Sequence, residues 1–287
     1  MTSIQTKKRH PMDVLMLSLI YVCAALAVAL LLGIAVFVTV KGLPNVNWSF
    51  LTSVTSVLKG TTGIAGNIVN TLYIIVLTML IATPIGVGAA IYLNEYAKPG
   101  KFVNAIEFAT ETLSGIPSII FGLFGLTFFG ELMGLSYSIL TGSLTMVLMV
   151  LPLITRNTQE ALKTVPDSYR SGAIGLGAGK WHMLRTILLP SAMPGIITGV
   201  ILAVGRIVGE SAALLFTAGS FKVLPNSLMG CIKKIIEPGG TLTIQLYLSA
   251  TKGEFGVAFG IAFVLLIIVL GINFLAKGLA KHFDVAR

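Results

Sequence analysis

The chain has 287 residues, 55% of them hydrophobic and 11% charged, and a mean hydropathy of +0.92. A soluble domain carries roughly a quarter charged residues, so this chain lacks the polar surface to stand in water and reads as a polytopic membrane protein. Its formal net charge of +9 does not point to nucleic acid, because the Lys and Arg residues are dispersed between apolar runs instead of gathered along one groove.

The predicted elements are all helical. Residues 1–13 form an N-terminal tail with Lys7, Lys8, Arg9 and His10, and residues 14–287 form a single transmembrane domain. The first apolar run, Val14 to Val40, is too long for a signal peptide and long enough to span a bilayer with some tilt. A polar segment from Lys41 to Thr62 follows, in which Trp48 and Phe50 are expected at the membrane interface. The second span lies near Ile68 to Leu93 with Pro84 as a kink, and the third near Val103 to Phe129 with Pro117 in mid-run. That third span also carries Glu107 and Glu111, read either as gating or interface residues or as packing near one end. The fourth span covers Ser138 to Ile154, a hydrophilic loop runs from Arg156 to Pro190, and the fifth span continues to about Ala218. Phe221 to Lys252 is too broken for a span, and the sixth lies near Phe255 to Ala276.

Orientation follows from the basic residues. With the N-terminus inside, thirteen Lys and Arg fall in cytoplasmic segments and six in outer ones, leaving Arg206 within the membrane. The positive-inside bias therefore places both termini in the cytoplasm.

Arg206 and Glu210 sit in the fifth span, four residues apart, and would share one face of a continuous helix. Intramembrane charges mark ion or substrate pathways more often than not. Counted from Ala192, Arg206 is about 21 Å along the axis, too deep for its stem to reach the interface. A purely structural i,i+4 ion pair remains the alternative. Gly205 and Gly209 stand beside the pair at GxxxG spacing, which admits another helix closely.

Metal, nucleotide and enzyme readings fail on motif chemistry. Cys23 and Cys231 form no CxxC, and no His/Cys cluster offers a metal site. The loop GLGAGKW resembles a P-loop only superficially, since Ile174 stands where the first glycine belongs and Trp181 where Ser or Thr must reach magnesium. Neither HExxH nor GxSxG occurs, and His10, His182 and His282 all lie outside the predicted spans.

A different pattern fits the loop. Ser171-Gly172-Ala173, three residues, Gly177, nine residues and Ile187-Leu188-Leu189-Pro190 reproduce the spacing of the E-A-A, G, I-x-L-P motif of ABC-importer membrane subunits. Ser171 replaces the motif glutamate and Gly172 the first alanine, while Ala173, Gly177, Ile187, Leu189 and Pro190 match. Further along the chain, Gly63-Ile64-Ala65, Asn70-Thr71-Leu72, Gly115-Ile116-Pro117-Ser118-Ile119, the run Gly205 to Ser211 and Leu214-Leu215-Phe216-Thr217 resemble the PstA family of phosphate importer permeases. The resemblance implies a type I ABC importer permease fold in a prokaryotic inner membrane, with residues 156–190 as a cytoplasmic coupling loop. It implies a PstC-like partner permease in a heterodimer, a PstB-like ATPase dimer that holds ATP and magnesium, and a PstS-like phosphate-binding protein, with no cofactor on this chain. It further implies that Arg206, Glu210 and Ser211 line the translocation path. Guanidinium chemistry suits such a cargo, since its planar fork matches phosphate oxygens. A carboxylate such as Glu210 can accept a hydrogen bond from protonated phosphate and repel a fully ionised anion. A permease for another oxyanion or a phosphonate is the neighbouring alternative, and a membrane scaffold or phosphate-signalling subunit a more distant one.

Overall fold

The computed structural model describes residues 11–56, 61–225 and 228–282. The expected basic cluster at Lys7 to His10, Lys59 and Arg287 lie outside the described residues. The chain begins with α1 (Pro11–Gly42), a long helix exposed along almost all of its length and packed only against the last helix, where Phe37 meets Phe259 edge-on at 5.6 Å. A short α2 (Trp48–Thr52) and the antiparallel pair β1 (Val54–Ser56) and β2 (Thr61–Ile64) follow. Trp48 is exposed as expected for an interfacial residue, but Phe50 is buried and touches the helix surface at Gly260. Asn47 turns the chain inward there by capping α2 through the Phe50 amide.

α3 (Ala65–Ile91) carries Pro84 and ends in a π-turn, Tyr92–Tyr96. The third expected span is not a straight one. α4 (Lys101–Gly115) and α5 (Ser118–Gly125, prolonged to Leu132) meet at 103°. Proline cannot extend the helical ladder and drives the residue before it into extended backbone; Ile116 duly sits at φ −72°, ψ 131° and Pro117 at ψ 140°.

α6 (Ile139–Lys163) starts at a Ser138 cap and forms the centre of the bundle, with α3 on one side and the fifth span on another. It runs nine residues beyond the end expected at Ile154. Its inner turns are polar but rich in good helix formers, so the helix outlasts the apolar stretch that marks the span. The hydrophilic loop expected from Arg156 therefore begins only after Lys163. α7 (Asp167–Gly175) and α8 (Lys180–Met183) make a hairpin, and α8 passes through a π-turn at Leu184–Leu188 into α9 (Leu189–Gly209). The small α10 (Ala212–Thr217), α11 (Leu228–Lys233) and α12 (Leu242–Thr251) lead to α13 (Phe255–His282). By length and composition five helices can cross a membrane, or six if the bent α4–α5 pair is one span.

Two apolar cores result. The larger joins α3, α6, α9, α10 and α13 around Ile74, Met146, Val150, Ile207 and Leu214. The smaller joins the end of α6 to the α7–α8 hairpin through Leu162, Ala173, Met183, Leu184 and Leu188. At the opposite end, polar side chains on α3 fix the segment beyond α10. Asn67 donates to Gly240 O at 2.9 Å, Asn70 to Phe221 O at 3.0 Å, and Thr71 accepts from the Leu242 amide at 3.0 Å. The residues Asn70-Thr71 thus serve as backbone clasps for a stretch whose own sequence looks irregular.

Candidate functional site

The hairpin at 164–188 shows why its motif has the spacing it has. Gly177 adopts φ +80°, a conformation open to glycine at little steric penalty. Its amide bonds Ile174 O at 2.9 Å and the Ala178 amide bonds Ala173 O at 3.0 Å, the paired bonds of a Schellman helix stop. Ala173 is buried beneath it and Ala178 packs on the same core, so the motif's alanine and glycine are the two chemically specified positions of one turn. Leu188 is fully buried and Ile187 and Leu189 pack around it, while Pro190 sits in the first turn of α9, where its missing N–H is harmless. Ser171 and Gly172 are exposed on the outer face of α7, with Ser171 Oγ donating back to Asp167 O at 3.1 Å. The tip projects large apolar groups: Leu176 is 91% exposed and Trp181 65%.

What anchors this hairpin was not apparent from the sequence. Arg170 reaches across to Glu95 in the π-turn that ends α3, with Nη2 at 2.9 Å and Nε at 3.5 Å from its two carboxylate oxygens. It also donates to Leu162 O at 3.0 Å, Val165 O at 2.9 Å and Asp167 Oδ1 at 3.1 Å. Both partners are largely buried, Arg170 at 19% and Glu95 at 9% side-chain exposure. The hydrogen bond to Glu95 raises the Arg170 pKa above its ordinary value, against the opposing effect of burial. Asn94 donates to Glu95 Oε1 at 2.7 Å, and Lys180 stands 5.7 Å over the Tyr96 ring, so both hairpin helices grip the end of α3. The only signal for this in the sequence was a carboxylate and an arginine in loops 75 residues apart, which spacing cannot pair.

Arg206 occupies a different setting. It lies seventeen residues along α9, about 26 Å from the start at 1.5 Å per residue. Its guanidinium is exposed on the isolated subunit and makes no hydrogen bond or ion pair with any described residue. The expected i,i+4 pair with Glu210 does not form, because α9 stops at Gly209 and Glu210 is extended at φ −82°, ψ 124°. Glu210 instead turns its Oε1 to the Ala213 amide at 3.1 Å, capping α10, and its backbone carbonyl accepts from Thr243 Oγ1 at 2.9 Å. A carboxylate at a helix start is stabilised by free amides and by the helix dipole, which outweighs a side-by-side pairing once the backbone breaks. Ser211, half-buried, precedes α10 without capping it through its side chain. A Cβ added at Gly205 or Gly209 would meet no atom within 4 Å, and both glycines face an apolar cleft of about 390 Å³ toward α1 and α13.

Arg206 lines a cavity of about 140 Å³ with residues of α4 and α6. Glu107 and Glu111 line a separate cleft of about 360 Å³ between α4 and the polar end of α6, where Glu111 pairs with Arg156 at 3.3 Å. They belong to that end of the bundle and not to its middle. Among the described residues no group of three or more His, Cys, Asp or Glu is placed to hold a metal.

Helices long and apolar enough to cross a membrane, one of them carrying an unpaired arginine in its last turn, with a braced helical hairpin projecting from one end, define a transport permease subunit. The family model described as "Binding-protein-dependent transport system inner membrane component" matches residues 82–286, and the chain belongs to that family. It is 37% identical to the "Probable ABC transporter permease protein YqgI" of Bacillus subtilis (strain 168), over 90% of this chain and 91% of the relative. It is 32% identical to the "Phosphate transport system permease protein PstA" of Haemophilus influenzae, over 84% of this chain and 82% of the relative. In fold it matches a chain of a bacterial alginate ABC transporter with a TM-score of 0.69 at 13% identity, covering 95% and 96% of the two chains. The chain is thus a multi-pass inner-membrane component of an ABC importer, and ATP hydrolysis in such a system belongs to another subunit.

Proposed function

We propose that this subunit carries inorganic phosphate inward, with Arg206 drawing the anion through the membrane. The observation that carries this reading is an unpaired guanidinium in the last turn of α9, open to a cavity with polar side chains of α4 and α6 in its wall. A structural arginine at that depth would be paired; an unpaired one is retained for a ligand. The PstA relatives supply the choice of phosphate among oxyanions. Glu210 commits one carboxylate oxygen to α10 and keeps the other for a proton-bearing anion, and Ser211 adjoins it. In this reading the path is completed by a PstC-like permease, a PstS-like protein delivers phosphate, and a PstB-like ATPase dimer with its ATP and magnesium receives the apolar tip at Leu176 and Trp181. The hairpin and both termini then lie in the cytoplasm, and a cysteine at Lys180 in sealed cells stays unlabelled by an impermeant thiol reagent while one at Lys41 reacts.

The test is uptake of radiolabelled phosphate by the reconstituted complex, with sulfate and a phosphonate as competitors. Phosphate uptake resistant to both supports the reading; preferential uptake of either competitor replaces the substrate while leaving the permease assignment intact.

A further inference from the structure

The cavity at Arg206 has a second guanidinium. Its polar walls are Thr110 and Ser114 of α4, Arg156 and Asn157 of α6, and Arg206 of α9, and the remaining lining is apolar. No carboxylate lines the cavity; Thr110 and Ser114 spend their hydroxyl hydrogens on Ile106 O and Glu111 O, and Asn157 one N–H on Leu153 O, so the donors left for a ligand are the two guanidinium groups and the second Asn157 N–H. Its volume of about 140 Å³ equals four to five waters at about 30 Å³ each, room for one tetrahedral oxyanion.

Arg156 and Thr110 also line the wider cleft that holds Glu107, Glu111 and Glu160 together with Lys163, which pairs with Glu160 at 3.4 Å, so Arg156 stands in the wall between a chamber without carboxylates and one with three. One contact holds it toward the second chamber, Nη2 to Glu111 Oε1 at 3.3 Å, with the two side chains 61% and 64% exposed. An ion pair so open to solvent is weak. The other donors of the Arg156 fork meet no acceptor among the described residues.

We propose that Arg156 is the second half of an oxyanion site whose first half is Arg206, and that Glu111 is the counter-ion it exchanges for the cargo. This rests on the phosphate reading above and deepens it. Two guanidinium groups match the charge of a dianion and offer two planar forks to its four oxygens. In the empty protein Glu111 neutralises Arg156; an arriving anion displaces a single solvent-exposed contact. When Glu111 recovers the arginine, Glu160 remains on Lys163 and Glu107 is the carboxylate of the wider cleft without a cation among the described residues, so it is Glu107 that disfavours the anion's return. A chamber without carboxylates on one side and one with a surplus of them on the other thus gives the path a direction.

The experiment uses the whole complex in proteoliposomes, with intact assembly checked for each variant by size exclusion. Arg156→Gln should lower phosphate uptake about ten-fold, the loss of one charge-assisted contact, and Arg156→Lys should fall between it and the wild type. Glu111→Gln should keep at least half of the uptake. The exchange Glu111→Arg with Arg156→Glu restores an ion pair but moves the positive charge to α4, and should remain as low as Arg156→Gln. Rescue of uptake by that exchange, equal losses in Arg156→Gln and Glu111→Gln, or normal uptake in Arg156→Gln would each overturn the proposal and leave a structural bridge. Arg206→Gln run in parallel separates the two readings. Its failure to lower uptake sinks the transport role of the cavity altogether, whereas its loss beside a normal Arg156→Gln removes the second site alone.

Discussion

Arg170 and Arg206 are placed in opposite ways. The first is buried in the hairpin with a carboxylate on α3, another on its own helix and two backbone carbonyls around it. The second is exposed in the last turn of α9 with no acceptor among the described residues. A guanidinium whose donors are all engaged fixes geometry, because any movement breaks several charge-assisted bonds together. One whose donors are free holds no helix in place and is available to something that passes. In the function proposed above, the difference separates the part of the molecule that transmits force from the part that meets cargo.

The largest effect should come from the free arginine. Arg206→Gln is expected to lower phosphate uptake about a hundred-fold with normal assembly, and Arg206→Lys, which keeps charge but loses the planar fork, to lower it about ten-fold. Because no described residue leans on the Arg206 guanidinium, the melting temperature should not move. A destabilised Arg206→Gln subunit would erase the contrast with Arg170.

Gly177 comes next. At φ +80° a bulky side chain is strained, and Gly177→Trp would disturb the helix stop that sets the angle between α7 and α8. The expected outcome is a several-fold rise in ATP hydrolysed per phosphate transported, or loss of the ATPase from the complex. Nothing lies within 4 Å of the added Cβ, so the subunit itself should still fold. Unchanged coupling would mean that the hairpin geometry is not what the ATPase reads.

Glu95→Gln sharpens the other side of the comparison. Leaving Arg170 without its buried carboxylate, and with only the exposed Asp167 as counter-ion, should destabilise the hairpin by about 3 kcal/mol, read in a thermal melt, with the anion preference of uptake unchanged. The pairing raises the Arg170 pKa, so its contribution is complete below the ordinary arginine range and is lost only above it. The clamp should therefore be indifferent to pH from neutrality to about pH 10.

Lys234 gives the smallest effect. Its side chain is 1% exposed, donating to Pro238 O at 3.3 Å, and burial lowers its pKa despite Glu237 nearby. With the folded pKa below the unfolded one, the unfolded chain binds more protons between the two, so stability rises with pH across that window. The melting temperature of wild type relative to Lys234→Met should climb as the pH rises toward the ordinary lysine range near about 10.4. A flat difference would show that the buried ammonium is fully compensated.

Much of the fold was legible from local chemistry. Apolar runs long enough to span a bilayer cannot be anything else in so uncharged a chain; four of the expected spans fall on single helices, while the third breaks at Pro117 and the fifth at Glu210. The Gly177 turn was legible because glycine's freedom is a property of one residue, and the depth of Arg206 because helix rise is fixed. The ends were less so. Helix α6 continues past Ile154 because polar residues can be helical when a neighbour covers one face, and hydropathy reports the membrane, not the helix.

The sequence by itself determined the class of the molecule, the apolar runs that become its long helices, the place of Arg206 in one of them and the spacing of its hairpin motif, all of which follow from length, composition and local backbone preference. Only the tertiary structure decided what each charge meets. Pro117 was visible, but not the 103° bend it permits; Arg206 and Glu210 were four apart, but a break at Gly209 gave the carboxylate to α10; Arg170 and Glu95 were 75 apart and came to 2.9 Å. Pairing energy depends on distance and burial, and both are set by how helices cross, which no window of sequence contains.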